Sequence, residues 1–284
     1  MPSQREIRRR IGSVGNIKQI TRAMQFVAAS KLRRAQEATL ASRPYSDKLD
    51  EALADVAAVL DPEAHPLLAE EREGKRLIVL FTSDRGMAGS LNTNTIRFAA
   101  QEIARSTDEL EVVTVGRKGT AAMRRGHVPL AASFDGFGDK PSFSDILPLA
   151  RLISDDFLAD TYAKVHLLYP AFVSTLVQRP EMKRLLPVKP NPDADEGIPG
   201  HQFIFEPNPA RVLEQLMPRY VATRLFQAVL ELTASEQSSR MVAMRNATDN
   251  AQELIDDLTL TYNKVRQAGI TNEMIEIATG ASNV

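Results

Sequence analysis

MVAMRNATDNAQELIDDLTLTYNKVRQAGI, residues 241–270, is the stretch on which the fold turns. Met244, Ala247, Ala251, Leu254, Leu258, Thr261, Val265 and Ala268 recur at alternating steps of three and four, which marks a heptad seam along one helix. Several of these side chains are small, so a second helix can approach closely. From residue 210 the pattern meets a single proline, Pro218, and no glycine before Gly269. A helix over 219–278 would measure roughly 90 Å at 1.5 Å per residue, whereas the average globular helix has about 11–12 residues. Such a helix cannot be buried in a globule of 284 residues and is expected to project.

Its natural partner lies at the other end of the chain. Ile7, Ile11, Val14, Ile17, Ile20, Met24 and Val27 form a slowly drifting apolar stripe, with Arg5, Arg8, Arg9, Arg22, Arg33 and Arg34 largely off it. No proline occurs between Ser3 and Arg43; Pro44 then predicts a kink or restart, followed by a second helical stretch over 46–60 that stops near Asp61-Pro62. The two chain ends together predict an antiparallel coiled coil. Two separate amphipathic helices on the middle domain, or a coiled coil between two copies, would satisfy the same pattern.

The middle alternates in character. Residues 76–82 (RLIVLFT) form a continuous apolar run, the mark of a buried parallel strand. A turn over 83–90, a helix over 92–104, a strand over 111–115 and a short helix over 117–125 follow. A helix over 143–159 and a strand over 164–169 complete a β-α-β-α order, and 189–200 (KPNPDADEGIPG) is a loop. The expected fold is α/β: a long antiparallel coiled coil of the N- and C-terminal helices plus a small domain with a mostly parallel sheet. The domain division is 1–60, 75–207 and 208–284.

Composition narrows the chemistry. There is no cysteine and no tryptophan, so disulfides, thiolate metal sites and a cysteine nucleophile are excluded. The start MPSQREIRRR lacks the apolar core of a secretory signal, and the longest apolar runs are far short of the roughly 20 residues that span a bilayer. Membrane association is therefore expected only through a partner or a surface. Residues 1–43 carry ten Lys/Arg against Glu6 and Glu37, a net of +8, while 44–75 carry nine acids and three bases. That segregation points to an acidic partner for the first segment, although a solvated helix face would look the same.

A catalytic or nucleotide site is not evident. The first turn, SDRGMAGSLN, has Gly86 and Gly89 but neither G-x-G-x-x-G nor G-x-x-x-x-G-K-[ST]. Without those glycines the backbone cannot come close to a pyrophosphate, so Ser83, Asp84 and Arg85 are read as a structural or docking turn. His65, His127, His166 and His201 are scattered, with no second ligand at metal spacing. Asp155-Asp156 and Asp256-Asp257 read as solvated pairs whose neighbouring side chains diverge. No catalytic residue, cofactor site or metal site is assigned.

Three blocks carry a family likeness. RRRIGSVGNIKQITRAMQFVAASKLRRAQ (8–36), SDRGMAGSLNTN (83–94) and SEQSSRMVAMRNATDNAQELIDDLTLTYNKVRQAGITNEMIEIATGA (235–281) resemble the signatures of F-type ATP synthase γ subunits of bacterial type, in the family's order and spacing. The resemblance implies a non-catalytic central rotary shaft that couples proton flow through a c-ring to ATP synthesis or hydrolysis on a hexamer. It also implies a Rossmann-like domain at the foot. The implied partners are the α and β subunits in a 3:3:1 complex, the ε subunit and the c-ring. No nucleic acid and no direct nucleotide binding are expected, and the implied place is the cytoplasmic face of the bacterial plasma membrane, held peripherally through the c-ring.

Residue by residue, Arg266, Gln267 and Thr271 match the positions that engage the β-subunit catch loop, with Met24 at the same level. Ile270, Met274, Ile275 and Ile277 match the apolar tip held in the hexamer's bearing. Phe203, Phe205 and Glu206 match the foot above the c-ring, with phenylalanine where relatives often have tyrosine. Arg9, Lys18, Arg33 and Arg34 are placed as a basic face toward acidic lever loops of β. The missing cysteines mean that the dithiol switch of chloroplast-type relatives cannot operate here. The alternatives are a nucleic-acid-binding coiled-coil protein that uses the basic N-terminal helix, and an α/β enzyme with a helical dimerisation hairpin.

Overall fold

The computed structural model describes residues 3–59, 74–188 and 206–282. These form two compact units, Met1–Ala29 with Arg240–Val284 and Ser30–Ser239.

The first unit is a pair of antiparallel helical segments, from α1 (Gln4–Val59) and α5 (Pro209–Ser282). The pairing is fixed by Lys18 with Gln252 and Thr21 with Thr248. Further along, a Cβ added at Gly269 would stand 3.4 Å from Gln4 Nε2. The intramolecular hairpin is therefore the arrangement the chain adopts.

The seam differs from the one read off the apolar residues. On α1 the inward positions are Ile7, Ile11, Val14, Lys18, Thr21, Gln25 and Ala28, in strict steps of four and three. Ile17, Ile20 and Val27, expected inside, are each more than half exposed. On α5 Met244, Thr248, Ala251, Ile255, Leu258, Tyr262, Val265 and Gly269 face in, so Met244, Ala251, Leu258 and Val265 hold their expected places. Ala247, Leu254, Thr261 and Ala268 are each displaced by the next residue. The physical reason is the supercoil, in which only an unbroken seven-residue repeat keeps facing the partner. The drifting stripe rotates off the seam, and polar Lys18 and Thr21 turn in because they can hydrogen-bond across it.

The second unit holds a five-stranded sheet in the order β3-β2-β1-β4-β5. The strands are β1 (Arg76–Phe81), β2 (Leu110–Val115), β3 (Leu130–Phe134), β4 (Lys164–Phe172) and β5 (Gln178–Leu186). All neighbours are parallel except β4 and β5. Helices α2 (Leu91–Arg105) and α3 (Arg117–Arg125) cover one face, where Ile78, Leu80, Ala99, Val112, Met123 and Leu168 are buried together. Leu77, Val79 and Phe81 alternate to the other face and pack with α4 (Phe143–Leu158) and with the parts of α1 and α5 in this unit.

Three sequence expectations need revision here. β3 and β5 were absent from the sequence reading. Pro44 does not restart α1, which runs as one helix from Gln4 to Val59. A proline removes its own N–H and crowds the carbonyl four residues back; that residue, Leu40, is exposed, while Ser46, Leu49 and Leu53 just beyond are buried. Asp156 is partly buried rather than solvated, and burial, then Asp155, pushes its carboxyl up.

At the N-terminal ends of the strands Glu111 accepts from Lys75 Nζ at 2.6 Å and from the Tyr162 hydroxyl at 2.6 Å. The bond from Lys75, then that from Tyr162, holds the Glu111 carboxyl below its ordinary 4.5. Burial and the bond to Glu111 push the Tyr162 hydroxyl up from its ordinary 10.0. A lowered carboxyl stabilises above its unfolded value and loses that contribution as pH falls through its folded one; a raised phenol loses its contribution as pH rises above 10.0. Asp156, raised, works against the acid loss. Glu111→Gln is therefore expected to flatten the acid limb of the stability curve below about pH 4.5, measured by urea unfolding across pH. An unchanged acid limb would refute the assignment.

Candidate functional site

Two surfaces merit the name of site: the C-terminal end of α5 in the first unit, and the C-terminal ends of the parallel strands in the second.

In the first unit the pairing accounts for the helix only as far as Gln4 opposite Gly269. Every residue over 271–279 is exposed. Ile270, Met274, Ile275 and Ile277 are 51%, 65%, 57% and 72% exposed. Arg266, Gln267 and Thr271 are exposed beside them. Met24, expected at the same level, is half-buried and lies elsewhere along the hairpin: with Thr21 paired to Thr248 and Gln4 opposite Gly269, the antiparallel register puts it beside the Met244 region instead. A helix turn that shows isoleucine and methionine to water on several sides gains nothing from its own chain. It presents a surface for others to cover.

The basic residues divide. Arg9 is exposed, while Lys18 donates to Gln252 across the seam, which commits it within the unit. Arg33 and Arg34, in the second unit, are exposed, and Arg33 Nε meets Glu37 Oε1 at 3.0 Å. That i,i+4 pair contributes about 0.3–0.5 kcal/mol and leaves Arg33 available. Of the foot residues, Glu206 is exposed, and Phe203 and Phe205 lie outside the described residues.

At the strand ends of the second unit, the order β3-β2-β1-β4-β5 puts a topological switch between β1 and β4, where doubly wound sheets bind ligands. Here the chain fills the place itself. Asp84 Oδ1 accepts from the Arg117 N–H at 3.0 Å, and Oδ2 from the Gly136 N–H at 3.0 Å. The start of α3, which elsewhere would hold a phosphate, is capped by this carboxylate. Thr82 Oγ1 accepts from the Gly119 N–H at 2.8 Å, and a cavity of only about 30 Å³ remains beside Thr82, Asp84 and Gly116. That volume suits one water, not a nucleotide. Ser83 and Asn92 bond each other, through Ser83 N–H to Asn92 Oδ1 at 3.1 Å and Asn92 Nδ2 to Ser83 Oγ at 2.7 Å. The turn is structural. Among the described residues, no group of three His, Asp or Glu side chains is placed to hold a metal ion, and no helix is long and apolar enough to cross a membrane.

One cluster escaped the sequence reading. Within SEQSS, Ser235 Oγ donates to the Pro170 carbonyl at 2.8 Å, and Ser238 Oγ to the Thr175 carbonyl at 2.6 Å. Ser239 Oγ donates to the Ala88 carbonyl at 2.6 Å. Gln237 Nε2 reaches Asp139 Oδ1 at 3.0 Å, while Asp139 Oδ2 accepts from Lys31 Nζ at 2.5 Å. This polar collar ties α5 to the loops after β1, β3 and β4. A run of serines and glutamine in a stretch that should bury apolar side chains was the available signal.

Comparison with known proteins agrees with this geometry. The family model described as ATP synthase matches residues 3–284. The ATP synthase gamma chain of Roseiflexus sp. is 49% identical, with 99% of this chain and 98% of the relative covered. That of Dehalococcoides mccartyi is 47% identical, with 99% of each covered. Among solved structures, a chain of the Tetrahymena thermophila mitochondrial ATP synthase central stalk and c-ring superposes with a TM-score of 0.62 at 25% identity, covering 80% of this chain and 99% of that one. A chain of the Euglena gracilis mitochondrial ATP synthase shares the fold, with a TM-score of 0.68 at 20% identity over 98% of this chain and 93% of that one. The chain belongs to the ATP synthase γ-chain family.

Proposed function

We propose that this chain is the turning central shaft of its ATP synthase, non-catalytic itself, which passes torque between a c-ring and a hexamer of α and β subunits. The observation that carries the reading is the end of α5, where Ile270, Met274, Ile275 and Ile277 stand exposed with no partner segment opposite 271–279 among the described residues. An apolar tip has no hydrogen bonds to break on turning, so a surrounding sleeve slides over it at little cost. Arg266, Gln267 and Thr271 supply a polar grip whose exposed contacts are individually weak and can form and break at each step. One asymmetric rod inside a threefold ring of sites makes each site face a different surface, and rotation carries those differences round. This is coupling between distant sites without contact with nucleotide. Arg9, Arg33 and Arg34 are the basic residues we assign to acidic loops of β; Lys18, engaged by Gln252, contributes less. The division 1–60, 75–207 and 208–284, the ε subunit as neighbour of the foot and the peripheral place at the plasma membrane belong to the same proposal.

The test is Arg266→Ala, Gln267→Ala and Thr271→Ala combined, reconstituted with cognate α and β subunits. Assembly is expected to weaken roughly 5- to 30-fold, about 1–2 kcal/mol, with Arg33→Gln plus Arg34→Gln adding a loss most visible at raised salt. Unchanged assembly and unchanged ATPase activity in the triple variant would refute the grip.

A further inference from the structure

We propose that the free edge of β3, together with the basic side of α3, is a docking edge for an extended acidic segment of another protein. This goes beyond the shaft reading and concerns the second unit alone, so either can fail without the other.

The two edges of the sheet are treated differently by the sequence. β5, at one end, carries Arg179, Pro180, Glu181, Lys183 and Arg184, the charges and proline by which natural edges discourage pairing. β3, at the other end, reads LAASF, with no charge and no proline; its register against β2 shifts once, skipping Ala131, and is regular from Ala132 to Phe134. The Phe134 carbonyl accepts from the Gly116 N–H at 2.8 Å, so Phe134 turns its backbone groups toward β2. By the alternation of a strand, Ser133 turns its own outward. Ala131 and Ser133 are exposed and small, so an incoming backbone meets no steric barrier.

Beside this edge runs a groove of about 400 Å³, lined by Arg117, Thr120 and Arg124 of α3 and by Ser133, Phe134 and Asp135. α3 contains Arg117, Lys118, Arg124 and Arg125 and no acidic residue. The one carboxylate among the described residues lining the groove, Asp135, meets Arg117 Nε at 2.9 Å in an exposed pair that a competing acid can replace at little cost. Arg117 and Arg124 lie two helical turns apart, about 10 Å, a distance spanned by roughly three residues of extended chain. The edge supplies main-chain hydrogen bonds and the two arginines supply selectivity, the mode of strand addition with charged side-chain contacts. The occupant is thus an extended segment with carboxylates two to four residues apart.

The experiment uses the full chain and a fluorescein-labelled, capped octapeptide of alternating valine and glutamate, followed by anisotropy. Saturable binding is expected with a Kd of about 10–1000 μM, roughly tenfold weaker for the glutamine counterpart and for Arg124→Glu. Ser133→Pro should abolish it by removing an outward donor. Circular dichroism melts establish that both variants fold, and amide exchange should show protection at Ser133 on adding peptide. The proposal is overturned by no binding at about 1 mM, by equal binding of the glutamine peptide, by an unaffected Arg124→Glu chain, or by protection at β5 instead of β3. Self-association on gel filtration that Ser133→Pro removes would also overturn it, making the occupant a second copy.

Discussion

Gly116→Val is expected to unfold the second unit at room temperature or bring it to the brink. Gly116 has φ +99°, a conformation that a branched side chain adopts only under strain. A Cβ at this position would lie 1.9 Å from the Thr82 carbonyl oxygen and 2.7 Å from its carbon, both backbone atoms that cannot swing aside. Nor can Gly116 retreat, because its N–H is held by the Phe134 carbonyl at 2.8 Å and Thr82 N–H by the Val115 carbonyl at 2.8 Å. The ends of β1, β2 and β3 would have to part. Strain of about 1–3 kcal/mol plus the collision gives an expected loss of at least about 4 kcal/mol, against a typical total of 5–15. Urea unfolding of the isolated chain measures it. The matched control is Gly12→Ala, where nothing lies within 4 Å of the added carbon; helix propensity there should raise stability by about 0.5–1 kcal/mol. Similar behaviour of the two variants would contradict this account of the sheet ends.

The second large effect is expected at the collar. Ser238 is fully buried, donates to the Thr175 carbonyl and accepts from Gln178 Nε2 at 3.4 Å. Ser238→Val removes both bonds and adds a methyl group to a closed site. Both partners keep another bond, since Gln178 Nε2 also donates to the Ser174 carbonyl at 3.0 Å and to the Thr175 carbonyl at 3.1 Å; losing the hydroxyl's two bonds therefore costs about 1–2 kcal/mol, and overpacking adds about 1–3, for an expected total of about 2–5 kcal/mol. Ser238→Ala, which loses only the bonds, should fall in the lower part of that range. Equal, near-zero changes in both would mean that the collar contributes no stability. Gln237 shows how fully the region is committed to polar side chains: its Nε2 is held by Asp139, while its Oε1 is buried without a hydrogen-bond partner.

What the sequence discloses depends on whether a signal is local. β1, with its unbroken apolar run, and the helices over 91–105, 117–125 and 143–158 were legible because burial on both faces and helical periodicity each leave a pattern in a few residues. β3 was hidden by its alanines, which favour no strand, and β5 by Pro180 and its alternating charges, which edge strands tolerate and central ones do not. The coiled coil was legible in kind but not in register. Both i+3 and i+4 neighbours lie on one helix face, and the choice between Leu254 and Ile255, or between Ile17 and Lys18, is made by the partner helix. Polar pairing across the seam, as between Thr21 and Thr248 at 2.8 Å, is invisible until both strands of the hairpin are aligned.

The site followed the same rule. The tip residues Ile270, Met274, Ile275 and Ile277 came from the likeness to γ subunits rather than from any local pattern, and what the structure adds is that they are exposed. The missing glycines argue against a phosphate site at the first turn. What fills the turn was not legible, since Asp84 reaches Arg117 and Gly136 across 33 and 52 residues of sequence. The collar had a signal, the serines of SEQSS inside a helix, but their acceptors are backbone carbonyls, which no side-chain pattern announces.

The most direct test of the central claim is reconstitution of purified cognate α and β subunits with and without this chain, followed by gel filtration and an ATPase assay. The shaft account predicts one complex near a 3:3:1 ratio of α, β and this chain, with ATPase activity that depends on its presence. If folded, competent α and β subunits leave the chain to elute alone and hydrolyse ATP identically without it, the account is contradicted.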